Sequence, residues 1–188
     1  MKKTTTILAL FILASLIFSC NKDEDVVSVQ DPLNGYLTAS GFNQNVNEVI
    51  GGQNLELGYS FVPLVDGKIT AIVVKLPKSN QTLRVTIWNK TTGNVLRTTI
   101  IDVSQSNEKI TQRIIPLTLF KGNEYFISMN SRDYYRHTKI DGTSAVYPFT
   151  VGDIKITSYA YINTANQIIP SLNIFNDYSG DCSFKFQK

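Results

Sequence analysis

The run Thr82-Leu83-Arg84-Val85-Thr86-Ile87-Trp88, with Thr92-Gly93-Asn94-Val95-Leu96 just beyond it, decides the fold class. Successive side chains of an extended chain point to opposite sides. Leu83, Val85 and Ile87 therefore share one face, and Arg84, Thr86 and Trp88 share the other. That alternation marks a half-buried strand. Thr92-Gly93-Asn94 then supplies the residues of a tight turn, which folds the chain back into a second strand over 94–103.

Working outward, the same pattern recurs on both sides. Residues 55–65, 68–76, 109–119 and 124–130 are further β-rich runs, and Asp66-Gly67 and Lys121-Gly122-Asn123 punctuate them. Short strands at this spacing predict an all-β fold, an antiparallel β-sandwich of jelly-roll type, and not βαβ units. Alternation places Tyr125, Ile127 and Met129 in a core row. It sets Ile154, Ile156, Ser158 and Ala160 against Lys155, Thr157, Tyr159 and Tyr161, and it groups Cys182, Phe184 and Phe186 on the core side of a last strand. Apart from the N-terminal apolar run, no stretch shows apolar residues at i, i+3, i+4 and i+7, so no helix is expected in the body of the chain.

The 188 residues, 21.0 kDa in all, suffice for one core, and a single domain over 35–188 is expected. Nine Tyr and ten Phe stand against one His, two Cys and two Met, which argues against zinc clusters, haem ligation and a disulfide framework. No cofactor and no metal centre is expected. The net charge of +3 includes Lys2 and Lys3, and falls to +1 without the first 19 residues. Nucleic acid rewards a concentrated basic face, so it is not an expected partner.

At the N-terminus, Lys2 and Lys3 precede an apolar run from Ile7 to Phe18. As a helix this run rises about 18 Å, short of a bilayer core of about 30 Å. Residues 1–19 therefore read as a cleaved signal peptide. Ile17-Phe18-Ser19-Cys20 resembles the bacterial lipobox, which makes Cys20 the lipidation site and the N-terminal lipid the contact with the membrane. The order Cys20-Asn21-Lys22-Asp23-Glu24 resembles the export signal of Bacteroidota-type surface lipoproteins, with Lys22, Asp23 and Glu24 as its residues. What it implies is an outer-membrane protein facing the cell exterior. Residues 20–34 are polar, contain Asp31-Pro32 and read as a tether.

The body of the chain resembles a family as well. Gly58-Tyr59-Ser60-Phe61-Val62-Pro63, Asp66-Gly67-Lys68-Ile69-Thr70-Ala71, Val85-Thr86-Ile87-Trp88-Asn89 and Lys121-Gly122-Asn123-Glu124-Tyr125 are similar to the domain of unknown function 4082 over roughly 55–188. The resemblance implies an antiparallel β-sandwich of secreted or surface proteins, sometimes found beside carbohydrate-active modules. It implies no catalytic residues. Residues 160–177 fit the family pattern poorly.

No constellation for catalysis is legible. His137 is the lone histidine and reads as a surface or loop residue, and the Gly-x-Ser-x-Gly elbow of serine hydrolases is absent from the sequence. Carboxylates such as Glu56, Asp102, Glu124, Asp133, Asp141 and Asp153 carry no flanking pattern of a glycosidase pair. Residues 176–181 form an acidic turn without the alternate-position ligands of a calcium loop. The most suggestive stretch is Arg132-Asp133-Tyr134-Tyr135-Arg136-His137, expected on a loop at one end of the sandwich. Sugars stack C–H faces on aromatic rings and pair their hydroxyls with charged groups. Tyr134 and Tyr135 are thus candidate stacking faces, Arg132, Asp133 and Arg136 candidate hydrogen-bonding groups, and Trp88 a further aromatic. A non-enzymatic surface module that binds glycans is the reading these residues favour. A structural or adhesion component that binds another envelope or host protein is the alternative, distinguished by a flat apolar patch where a glycan module would show a row of rings.

Overall fold

The computed structural model describes residues 28–188. Cys20, Lys22, Asp23 and Glu24 lie outside the described residues. The chain forms β1 (Asn45–Val49), β2 (Leu55–Pro63), β3 (Gly67–Lys75), β4 (Asn80–Asn89), β5 (Val95–Val103), β6 (Lys109–Leu119), β7 (Tyr125–Ser131), β8 (Tyr134–Thr138), β9 (Phe149–Val151), β10 (Ile154–Asn163), β11 (Leu172–Asn173), β12 (Tyr178–Ser179) and β13 (Asp181–Gln187). A seven-stranded sheet runs β11-β10-β2-β7-β4-β5, with β9 also paired to β10, and faces a three-stranded sheet β13-β3-β6. A further small sheet, β1-β8-β12, closes one end. Every pairing is antiparallel, and the fold is the β-sandwich that the alternation predicts.

The core lies where the predicted faces meet. Leu57, Tyr59 and Phe61 of β2, Leu83, Val85 and Ile87 of β4, and Tyr125, Ile127 and Met129 of β7 turn inward from the large sheet. Ile69, Ile72 and Val74 of β3 with Cys182, Phe184 and Phe186 of β13 meet them from the small one. Phe61 and Phe184 lie 4.6 Å apart between ring centroids across the sandwich. Burying each such ring contributes roughly 1.5–3 kcal/mol. Where β2 pairs with β7 the backbones approach so closely that a Cβ on Gly58 would sit 1.9 Å from the Ile127 carbonyl oxygen, so that position requires glycine.

Two expectations are corrected. Alternation through β10 breaks at a register shift between Ile156 and Ser158. One extra residue reverses which side the following side chains face. Tyr159 thus joins Ile154 and Ile156 in the core, while Ala160 turns to the outer face against Trp88 and Phe126. The second correction is α1 (Pro32–Ser40), the one helix among the described residues. Asp31 is its N-cap, Pro32 opens it and Gly41, at φ 83°, ends it in the left-handed region. Leu33 and Tyr36 are buried. Gln30 already exchanges backbone hydrogen bonds with Phe186, so part of the stretch assigned to the tether belongs to the folded domain.

Candidate functional site

Only Arg132 and Asp133 of the stretch singled out in the sequence lie in a bend between strands; Tyr134 to His137 belong to a strand, β8. Its two tyrosines therefore face opposite ways. Tyr135 is buried, with the Lys75 ammonium 4.9 Å from its ring centroid and its hydroxyl bonded to the Asn107 side chain. Tyr134 faces a cleft of about 430 Å³ between the end sheet and β10. Tyr159 and Tyr161, delivered to this side by the bulge, form the facing wall, and Leu55, Val49 and Ile174 complete the apolar lining. Tyr134 and Tyr161 are partly exposed, whereas Tyr159 is buried, so the first two present ring surface to the opening. Polar groups converge at one side: Arg136, Asp177 and Ser179.

Arg136 donates from Nε to Asp177 Oδ2 at 2.8 Å, and its Nη2 lies at the same distance from that oxygen. Ser179 donates to Asp177 Oδ1 at 3.4 Å. Burial pushes the Tyr134 phenol up from its ordinary value, and the Asp177 charge adds to the effect. Tyr134 therefore stays a neutral hydroxyl, able both to donate and to accept.

The remaining candidates lie apart from the cleft lining. Arg132 donates from Nε to the Gly52 carbonyl at 2.9 Å, and Asp133 accepts from the Gly51 amide at 2.7 Å. Both hold the turn between β1 and β2 and position the cleft's edge. His137 is buried, with Nε2 2.6 Å from Asp181 Oδ1, a correction to its reading as a surface residue. The acidic turn is divided between these partners, Asp177 to Arg136 and Asp181 to His137.

Trp88 is on the face predicted for it, with Arg84 and Thr86, but it is only 4% exposed and is not a free stacking surface. Residues 164–171, within the stretch that fits the family pattern poorly, cross this outer face. Arg84 donates to the Ala165 carbonyl at 3.1 Å, Gln167 donates to Thr86 at 3.1 Å and Thr98 at 2.7 Å, and Ile169 packs on Trp88, Phe126 and Ala160. Beneath them Glu56 is fully buried, accepting from Arg84 at 2.8 Å and from Ser128 at 2.5 Å, and the Trp88 indole donates to Ser128 at 3.1 Å.

Of the cleft residues, sequence reasoning found Tyr134 and Arg136. It missed Tyr159, Tyr161, Asp177 and Ser179 as members of one site. The first two lie beyond a bulge that alternation alone does not reveal. The pairing of β12 with β8, which brings Ser179 opposite Arg136, joins segments 43 positions apart. No family model and no curated protein matches this chain.

Proposed function

We propose that this chain is a surface lipoprotein, anchored through Cys20 and addressed outward by Lys22, Asp23 and Glu24, whose domain binds glycans without catalysis. The resemblance to the domain of unknown function 4082 belongs to this reading. The observation that carries it is the cleft: Tyr134 and Tyr161 offer ring surface beside a convergent set of hydrogen-bonding groups, Arg136, Asp177 and Ser179. Ring faces take the apolar side of a pyranose, and a few placed polar groups fix its hydroxyls.

Binding to a polysaccharide panel, by glycan array or by retardation in polysaccharide gels, tests the reading. Tyr134→Ala and Tyr161→Ala should each weaken retention by about 1–3 kcal/mol, as loss of an anchoring ring does. Retention that survives both changes would move the ligand to another surface. One feature favours the alternative of a protein partner. Val146 and Phe175, 75% and 49% exposed, are brought near one another in the fold by the hydrogen bond from the Ala145 amide to the Phe175 carbonyl. Val146→Asp should leave glycan retention intact and abolish binding to a protein partner on that patch.

A further inference from the structure

We infer that Asp177 sets the ligand class of the cleft: by pairing with Arg136 it admits uncharged sugars and turns away anionic ones. This rests on the glycan reading of the same cleft. Among the cleft-lining residues, Arg136 is the cation and Asp177 the anion. The two are placed asymmetrically, the Asp177 side chain 11% exposed and the Arg136 side chain 52%. The acid thus stands behind the base, held there by Ser179 as well, and the guanidinium reaches toward solvent.

That arrangement has a chemical consequence. A guanidinium carries five N–H donors in a fixed fork. Nε donates to a single carboxylate oxygen, with Nη2 2.8 Å from the same atom, which leaves the Nη1 donors for a ligand. Sugar hydroxyls accept from them without bringing charge. A uronate or sulfate would meet the same donors, but its attraction to Arg136 is offset by repulsion from the carboxylate directly behind, since the pair presents no net charge. The aromatic wall gives no attraction to the charge itself, because ring faces carry the negative end of the quadrupole. Asp181, the other acid of this turn, is engaged by His137 and takes no part.

The test is Asp177→Asn, which keeps the shape of the side chain and removes its charge. Wild type and variant are run through gels containing laminarin or mannan, and through gels containing polygalacturonate or chondroitin sulfate. Circular dichroism and thermal melting check the fold. The wild type should be retarded by a neutral polysaccharide, to an extent that changes little with salt. The variant should gain retention on the anionic gels by roughly tenfold, the scale of a hydrogen bond to a charged group, and lose it as salt is raised. A folded variant with no gain on anionic gels overturns the inference, as does a wild type retarded only by anionic gels, which leaves the glycan reading standing. Should Asp177→Asn fail to fold, the salt dependence of the wild type decides: flat binding to a neutral glycan supports the inference and steep dependence overturns it. A wild type retarded by neither class overturns the glycan reading and the inference together.

Discussion

Glu56 sits in the middle of the large sheet's outer face, a place where an acid normally meets water. Here it is fully buried, and both of its oxygens are taken, by Arg84 and by Ser128, while Ser128 in turn accepts from Trp88. Removing one partner of such a set costs more than removing both, because the survivor is left charged and desolvated. Glu56→Ala should therefore lower stability by about 3 kcal/mol, the low end for a buried pair because Arg84 keeps some contact with water. The double change Glu56→Ala with Arg84→Ala should cost less than the single one, in denaturant melts of both variants. Equal or greater loss in the double variant would show that the pair itself, and not the orphaned charge, carries the stability. The same residues mark a limit of sequence reading. That Trp88 shares a face with Arg84 and Thr86 follows from alternation. That the face is covered does not, because the covering Gln167 lies 81 positions from Thr86 in sequence.

At the level of elements, the strands were legible because an apolar/polar alternation and a turn signal agree locally, and β6 coincides with its expected range of 109–119. The failures are places where one residue changes the phase or where tertiary packing overrides composition. The bulge in β10 turns Tyr159 inward, and nothing in a row of alternating residues announces where the count will slip. The helix α1 spans only nine residues and contains Gly35, so its periodic signal is short and its propensity poor. Its ends were nevertheless written in Asp31-Pro32 and Gly41. Asp31 also accepts from Ser183 Oγ at 2.7 Å and pairs with Lys185 at 3.2 Å, fastening the helix to β13. Asp31→Ala should cost about 1 kcal/mol, the worth of an N-cap. For a chain of this size that corresponds to a fall in Tm of about 2–4 °C. Thermal melting with hydrogen exchange across residues 32–40 reads it; unchanged exchange there would mean that packing of Leu33 and Tyr36 alone holds the helix.

At the scale of the whole molecule, the cleft and the start of the described chain occupy opposite ends. Gln30 pairs with Phe186 at the far end of β13 and bonds to Asp153, just ahead of β10. The cleft's Asp177 and Ser179 precede the near end of β13, and its Tyr159 and Tyr161 lie toward the other end of β10. Each of these strands separates the two sites by about 20 Å at ~3.3 Å per residue. On the proposed anchor, the ten residues from Cys20 to Gln30 reach at most about 35 Å from the membrane. A site beside Gln30 would then stay within that distance of the lipid, whereas one across the sandwich can lie about 20 Å farther out. Attachment chemistry makes this testable in the domain from residue 28 onward, which lacks Cys20, because Cys182 is fully buried and burial pushes its thiol up, so a single introduced cysteine can be coupled selectively. Beads coupled through Ser28→Cys should capture the retained polysaccharide as fully as the free domain does. Beads coupled through Asn176→Cys, next to Asp177, should capture much less. Equal capture by the two would place the ligand on a surface that neither attachment blocks, and loss through Ser28→Cys alone would place it at the membrane-facing end.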